Sequence, residues 1–553
     1  MAGLATSFGS GAMSNSMDDV SGRAAAYFII GSNTTEQHPV FGTMLRRAVS
    51  RRGAKLVVAD PRRIEITDFA TLHLRHKPGT DVALINGLMG IILEKGWEDK
   101  EFIAARTEGF DELQKLLAQY PPDRVSETTG IPADQLYAAA EILATSKPMA
   151  VIWAMGITQH IVGVRNVMDL ANLQMLLGNM GVPGGGVNPL RGQNSVQGAC
   201  DMGGLPNVYP GYQSVTSEES RRKFEEAWGV TLPAHVGATV TEMMPNAITG
   251  KLKAFYILGE DPVMTDPDTS HIRHCLQSCE FILLQEIFPS ETAHYADVLL
   301  PGACYSEKTG TNTNTERRIQ MVRKAVEPPG EARPDWQIIA DLAERVLAQG
   351  KRNNQGGTRA SWGYANTAEI MAEIAALTPS HAGVSHERLE RGERLQWPVK
   401  DAKHPGTPIL HVGQFSRGLG KFMPVEDIPP AELPDDEYPF LLSTGRVLYH
   451  WHGGEMTRRA RGLLAVYGEA LVEVNPDDAA RLGLNGRKRV NIRSRRGQIE
   501  AAAWVTDRVP PGMVFANFHF PGDQNANLLT IAALDPVAKI PEYKVCAVKV
   551  QAV

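Results

Sequence analysis

The chain has 553 residues, which at roughly 150 residues per domain predicts three or four domains and excludes a single small binding module. Lys and Arg total 56 against 62 for Asp and Glu, a net charge of -6 with both signs scattered, so nothing marks the basic face of a general nucleic-acid binder. Hydrophobic residues at 43% and charged residues at 21% are the usage of an ordinary globular protein, which excludes wholesale disorder.

No apolar run reaches the roughly 18 residues of a membrane helix, and the best stretch, Leu84 to Leu93, is broken by Asn86 and two glycines, so no membrane span is predicted. The opening residues carry no basic segment followed by an apolar one; no signal peptide is read there, and a cytoplasmic protein is expected. Cys200, Cys275, Cys279, Cys304 and Cys546 are irregularly spaced and include no CxxC pair, so they read as reduced thiols. By itself the chain is not expected to assemble an iron-sulfur cluster or a structural zinc site.

In chain order, AAYFIIG and AKLVVAD are short apolar runs ending in Gly31 and Asp60, and PVFGTMLRRAVSRRG between them has helical spacing up to Gly53. This strand, helix, strand unit predicts a parallel sheet. Further helices are predicted over Asp81 to Glu94, near 132–145 and over 164–177, with a strand at 149–156 and a glycine-rich loop from Gly178. A second cycle starts with AFYILGEDP at 254–262 and FILLQEIF at 281–288, which reads as a second doubly wound unit. Residues 350–435, poor in periodicity and rich in Gly, Pro and charge, read as a linker. Beyond it FLLSTGR, ALVEVNP, RVNIRS, QIEAAAWVT and GMVFANFHF are strand-like runs separated by turns, predicting a small β-barrel.

Gly31, Ser32 and Asn33, followed by Glu36 and by Asp60 at the end of the next strand, resemble a nucleotide site beyond the carboxyl ends of parallel strands. Asp60-Pro61-Arg62 reads equally well as a strand end and turn, since GxGxxG is absent. GEDPVMTD at 259–266 is a second acidic turn of the same kind. Arg191, among Asn188, Gln193, Asn194 and Gln197, fits recognition of a small planar anion, or else staples its loop by bonding carbonyls. His450 and His452 flank Trp451 and would share a face of a strand; contact with an anion or cofactor together with Arg446 is one reading, a solvated strand and turn the other. His73, His76, His271 and His274 are expected on exposed faces. No GxSxG, HExxH or GxxxxGK[ST] supports a hydrolase or P-loop reading.

The segments VVADPRR, KPGTDVALING, AMGITQH, VNPLRGQNSVQGACDMGGLP, GEDPVMTD, EKTGTNTNTERRIQ, LLSTGRVLYHWHGG and LDPVAKIPEYKVCAV, in this order, resemble the molybdopterin oxidoreductase family, and within it the catalytic (alpha) subunits of formate dehydrogenases. The likeness spans nearly the whole chain, and RGQNSVQGACDMG with EYKVCAV favours the formate enzymes. It implies an α/β protein with two doubly wound, mostly parallel-sheet domains around a bis-pterin cofactor, followed by a C-terminal β-barrel of double-psi type. In these terms 1–194 is the first nucleotide-binding domain and 195–305 the second, with its N-terminal half missing. Residues 306–425 are the remainder of an iron-sulfur-side domain and linker, and 426–553 the pterin-binding barrel.

The resemblance further implies oxidation of formate to carbon dioxide at molybdenum or tungsten held by two molybdopterin guanine dinucleotides. Electrons would pass to a [4Fe-4S] cluster and through iron-sulfur and flavin subunits to NAD or another acceptor. Glu36, Asp60, Arg62, Gly79 and Asp81 would hold one guanosine, and Asp261, Thr265, Gln285, Glu286 and Asp335 the other. Met155, Gln159 and Gln193 would line the pterin, with Arg446, His450, His452, His519 and Asn527 closing over it from the barrel. Arg191 matches the family's formate-orienting arginine.

The family's cluster cysteines, its electron-relaying lysine and its metal-ligating cysteine or selenocysteine match no residue here, the last lying just ahead of the match to Ala2-Gly3-Leu4. The chain is therefore expected to be the larger C-terminal part of such an enzyme, inactive alone, with Met1 standing where the family has valine, either just past a selenocysteine codon read as a stop or at a genuine truncation. A noncatalytic cofactor-binding fragment and an oxidoreductase for another small oxyanion are the alternatives. Asn312 stands where the family usually has an aromatic.

Overall fold

The computed structural model describes residues 1–352, 362–484 and 488–553. They form two compact units, the first built from 1–192, 261–273 and 409–553, the second from 193–260 and 274–408.

After two short helices at Ala2–Phe8 and Met17–Arg23, the first unit has strand β1 (Ala26–Ile30), helix α1 (Pro39–Arg52) and strand β2 (Lys55–Ala59), the βαβ unit read from the sequence. Proline at the first turn of α1 gives up only an N–H that has no helical partner, and Gly53 ends the helix at φ 71°, where a side chain would be strained. β3 (Leu72–Leu74), helix α2 (Asp81–Glu94), helix α3 (Ala133–Thr145), β4 (Met149–Trp153), helix α4 (Gly163–Leu176) and β5 (Val187–Pro189) complete it. The strands are parallel in the order β3-β2-β1-β4-β5, so the connections reverse direction between β1 and β4.

Both faces of this sheet are buried, which is why its strands are apolar throughout rather than alternating. Phe28, Ile30, Val57, Val151 and Trp153 pack with apolar residues of α2, α3 and α4. Tyr27, Ile29, Leu56, Val58, Ala150 and Ile152 pack on the opposite side with Phe41, Leu45 and Ala48 of α1. Each such side chain removed from water contributes about 1.5–3 kcal/mol, so the sheet is a rigid base for the loops at its ends.

The second unit contains a three-stranded parallel sheet of β6 (Ala254–Leu258), β7 (Phe281–Glu286) and β8 (Val298–Pro301), with β7 in the centre. Phe255, Ile257, Ile282 and Leu284 are buried, whereas Tyr256, Leu258, Phe281 and Val298 are exposed. Helix α5 (Asp335–Arg352) follows in the same unit. The stretch 350–435 is not the linker expected of it. Residues 353–361 of that stretch lie outside the described residues, and the remainder contains helix α6 (Thr367–Leu377) and buried Trp397, Val399, Phe415 and Phe422. It lacks a period because hydrogen bonds hold it. Arg388 donates to the carbonyls of Gly383 at 2.6 Å and His404 at 2.8 Å, and buried Arg317 donates to that of Thr407 at 2.8 Å.

The chain then returns to the first unit, where β9 (Phe440–Gly445), β10 (Leu471–Val474), β11 (Arg489–Arg493), β12 (Gln498–Val505), β13 (Met513–Asn517) and β14 (Cys546–Ala552) close into a barrel of mixed parallel and antiparallel pairs. Its inward residues, among them Leu442, Val472, Val490, Ile499, Val514 and Val548, form a core of their own. Arg62, just past β2, joins barrel to sheet. Its guanidinium donates to both carboxylate oxygens of Glu473 on β10, at 3.0 and 2.5 Å, and lies 3.5 Å from the centre of the Phe515 ring. Arg508 in turn pairs with Glu36 at 3.0 Å.

Breaking a buried pair from one side strands the other charge. Glu473→Ala is therefore expected to cost the first unit about 3–5 kcal/mol, read as a lower midpoint in chemical or thermal unfolding. An unchanged midpoint would show that Arg62 finds another partner.

Candidate functional site

The reversal of strand order between β1 and β4 opens a crevice at their carboxyl ends, the usual ligand position in an open parallel sheet. A cleft lies there, roofed by the barrel. The turn after β1 contributes Gly31, Asn33 and His38, the end of β2 Asp60 and Arg62, and the turn after β4 Met155, Gly156 and Gln159. Gly79 and Asp81 come from the lead into α2, and Thr444, Arg446, Phe515 and Lys544 from the barrel.

Two glycines make the crevice possible. Gly156 donates its N–H to the Gly31 carbonyl at 3.0 Å, and a Cβ on Gly156 would lie 2.4 Å from that oxygen. Gly31 has φ 56°, and a Cβ there would meet the Ile157 backbone at 2.7 Å. Only bare backbone lets the two turns abut.

Asp60 serves as the turn-former that its sequence also allowed, since its Oδ1 accepts the Arg62 N–H at 2.9 Å. Burial raises its carboxyl above the ordinary range, partly offset by that bond and by nearby Arg62 and His76. His76 is 2% exposed, contrary to the exposed face expected for it, and its Nε2 meets Asp81 Oδ1 at 3.0 Å. The reason is the chain direction: after β3 it turns inward to start α2, so His76 and Asp81 are buried as a pair. Burial lowers the His76 pKa and raises that of Asp81, but their mutual attraction outweighs both, leaving His76 raised and Asp81 lowered.

His450 and His452 do not share a strand face, because β9 ends at Gly445 and both lie in the loop beyond it. The Arg446 Nη2 group donates to His452 Nε2 at 2.8 Å. His452 sits at φ 47°, a conformation that costs a non-glycine residue and is held by its surroundings. His519 donates from Nδ1 to the His452 carbonyl at 2.5 Å and accepts the Val447 N–H on Nε2 at 3.0 Å. His450 donates from Nε2 to the Tyr467 carbonyl at 2.6 Å. Burial and the neighbouring cations push His452 and His519 down to about 3, so both stay neutral and act as scaffolding for Arg446.

Arg191 follows β5, and its carbonyl accepts a hydrogen bond from His38 Nε2 at 2.7 Å. The next residue, Gly192, lines the cleft, and a Cβ there would lie 2.8 Å from Arg446 Nη1. Gln193 belongs to the second unit. The residues expected around the other nucleotide end also fall in both units. Asp261 and Thr265 belong to the first, where Asn527 Nδ2 donates to the Met264 carbonyl at 2.8 Å and Tyr543 donates to that of Thr265 at 3.0 Å. There Glu455 is pushed up to about 7, by burial first and by Asp261 beside it. In the second unit Gln285 donates to Asp335 at 2.7 Å, Lys308 pairs with Asp335, and the Glu286 carboxylate accepts the Ile287 N–H at 2.7 Å.

Several cleft residues escaped the sequence reading. Asn33 was noted as part of a turn, yet both its amide atoms are buried in the cleft wall without a protein partner, and so is His38 Nδ1. Lys544 lay inside the EYKVCAV segment without an assigned role; here it lines the cleft. Orphaned polar atoms in the wall of a cleft lined from both sheet and barrel fit a polar cofactor that supplies their missing bonds.

Residues 5–345 match the molybdopterin oxidoreductase family model, and residues 440–547 match that of the molybdopterin dinucleotide binding domain. The chain belongs to the molybdopterin oxidoreductase family, and its barrel is the part that binds a molybdenum or tungsten pterin cofactor. It is 46% identical over 552 residues to the F420-dependent formate dehydrogenase subunit alpha of Methanocaldococcus jannaschii, covering 99% of this chain and 79% of that protein. To formate dehydrogenase H of Escherichia coli it is 39% identical over 557 residues, covering 100% of this chain and 76% of that protein. Among solved structures, acetylene hydratase from Pelobacter acetylenicus superposes with a TM-score of 0.75 at 19% identity, covering 100% of this chain and 80% of that one, a likeness of fold. Among the described residues no helix is long and apolar enough to cross a membrane.

Because His76 is raised, its stabilisation is present below its unfolded value and lost as pH rises through the folded one. Asp81, lowered, contributes above its unfolded value and loses that contribution as pH falls. The pair should therefore help most between about pH 4 and 6.5. In Asp81→Asn the burial of His76 is opposed only by nearby Asp60 and the Leu74 backbone, and its pKa, followed by NMR of the ring protons, is expected to fall below 6.5. A value still above 6.5 would mean that another carboxylate holds it.

Proposed function

We propose that this chain is the cofactor-binding part of a molybdopterin-dependent formate dehydrogenase, which oxidises formate to carbon dioxide, and that it is inactive alone. The observation that carries this reading is the Arg191-Gly192 turn, anchored by His38 against a cleft whose barrel side carries Arg446. The 46% identity to a protein named as a formate dehydrogenase subunit supports it.

The overall change is HCOO⁻ to CO₂, one proton and two electrons, and the metal-pterin centre, when bound, supplies the acceptor for those electrons. What the chain supplies is position and charge. The Arg191 guanidinium binds the two carboxylate oxygens of formate by paired, charge-assisted hydrogen bonds. The product is neutral, loses that attraction and leaves. Neutral His452 holds Arg446 without cancelling its charge, so a cation stays aimed into the cleft over the working pH range.

Within the first unit, Asp60, Gly79, Asp81, Met155, Gln159 and Arg446 would hold one guanine dinucleotide form of the cofactor. A second copy of the cofactor and a [4Fe-4S] cluster complete the proposed centre. Electrons leave through iron-sulfur and flavin partner subunits to a two-electron acceptor such as NAD; the Methanocaldococcus jannaschii relative is named as F420-dependent. The enzyme is proposed to work in the cytoplasm.

In the complete enzyme purified from its host, Arg191→Ala is expected to lower kcat/KM for formate by about 100-fold or more, with pterin and metal content unchanged. Full activity in that variant would remove formate as the substrate bound by Arg191. A wild-type enzyme loaded with cofactor yet inert to formate would favour a different small oxyanion.

A further inference from the structure

On its way to the barrel the chain crosses the first unit as a strap, 422–431, with no helix or strand of its own. Side chains from the elements it crosses hold its backbone. Asn172 of α4 meets Met423 with both ends of its amide, donating to the carbonyl at 2.7 Å and accepting the N–H at 2.9 Å. Asn86 of α2 donates to the Val425 carbonyl at 3.0 Å, and Arg165 of α4 to that of Glu426 at 2.9 Å. The Asp427 N–H reaches the Tyr120 hydroxyl at 2.8 Å. Further on, the Ala431 N–H donates to Glu542, ahead of β14, at 2.9 Å. The Pro430 ring closes on Gly79, where a Cβ would lie 2.4 Å from it. Gly79 lines the cleft, so the strap runs from the helices to the edge of the cleft and into the barrel.

Asp169 lies on α4, one turn before Asn172. It is 0% exposed; its Oδ1 accepts only the Asn172 amide, at 3.2 Å, and its Oδ2 has no partner. Among the described residues it forms no ion pair. Arg165, on the same helix, spends a donor on the Glu426 carbonyl and contributes only its charge. From the strap the carboxyl of Asp427 acts on Asp169 as a like charge, and its Oδ1 is buried without a partner as well. Asp427 in turn feels Asp81 at the start of α2 and Arg124. A buried carboxylate with one neutral bond and a like charge nearby is costly, whereas the neutral acid is not. Burial first, with Asp427 adding to it, holds the Asp169 carboxyl well above the carboxylate range against the pull of Asn172 and Arg165.

We propose that Asp169 is carried as a neutral acid whose proton latches the strap. While it is protonated, α4 meets the strap without charge. When the proton leaves to solvent, a second negative charge acts against Asp427, and the strap loosens from the helices and from the edge of the cleft. Because the folded carboxyl titrates above its unfolded value, the latch is fully held below the unfolded value and is lost as pH rises through the folded one. The release is therefore alkaline. The latch does not depend on what the cleft binds or turns over.

The test combines infrared spectroscopy with hydrogen exchange of the 423–427 amides, corrected for intrinsic rate, across a pH series. At neutral pH the wild type is expected to show the carbonyl band of a protonated carboxyl that Asp169→Asn lacks. As pH rises and that band disappears, protection of the strap amides is expected to fall about tenfold or more. Asp169→Asn, the same shape without the titration, is expected to keep its protection flat with pH. Asp427→Asn removes the opposing charge and is expected to move the loss of the band to lower pH. A wild type without the band, or a band that persists in Asp169→Asn, overturns the proposal. So does strap protection in Asp169→Asn that falls with pH as in wild type, or a band in Asp427→Asn that is lost at the wild-type pH. Should Asp169→Asn fail to fold, the Asp427→Asn titration decides.

Discussion

Arg62 and Glu473 lie 411 positions apart in sequence and meet as a buried, two-point ion pair. Everything proposed for the first unit depends on that contact, because it fixes the barrel over the carboxyl ends of the sheet and so makes a walled cleft out of an open crevice. The Phe515 ring under the same guanidinium, and the neighbouring pair of Arg508 with Glu36, extend the seam. Glu36 and Arg62, expected to touch a nucleotide, are thus also the residues that join sheet to barrel.

With the seam closed, the polar groups inside divide sharply. His76 with Asp81, and Arg62 with Glu473, are answered within the protein. Asn33, His38 Nδ1, Arg446 and Lys544 are left with bonds or charges that a ligand would complete. Histidines that look like ligands in sequence turn out to be struts. His519 spends both ring nitrogens on backbone, and His452 spends one on holding Arg446.

The parts of this arrangement set by local rules were legible in the sequence. Continuous apolar strands, a helix opened by Pro39 and closed at Gly53, and short β-branched runs after residue 440 identified the sheet and the barrel. The Gly31-Ser32-Asn33 turn after the first strand and the acid after the second marked the cleft, and Arg446 was singled out among its neighbours. What escaped depends on contacts between distant segments. Nothing near His76 announces that its chain turns inward. Lys544 is an ordinary lysine just ahead of a strand until Thr444 and Arg446 are set beside it. Residues 362–425 have no periodicity because Arg317 and Arg388 hold them by their carbonyls. The assignment of 261–273 to the first unit, apart from the flanking second-unit strands, likewise has no local signal.

Binding of a cofactor in the cleft can be measured on the protein itself. The direct measurement is to purify the protein from its own host, release bound pterin by oxidative denaturation, and quantify the fluorescent derivative and the freed nucleotide per chain. Pterin and guanine nucleotide recovered together in stoichiometric amounts is the result expected here. Neither one recovered, from cells whose other molybdopterin enzymes are loaded, would contradict it.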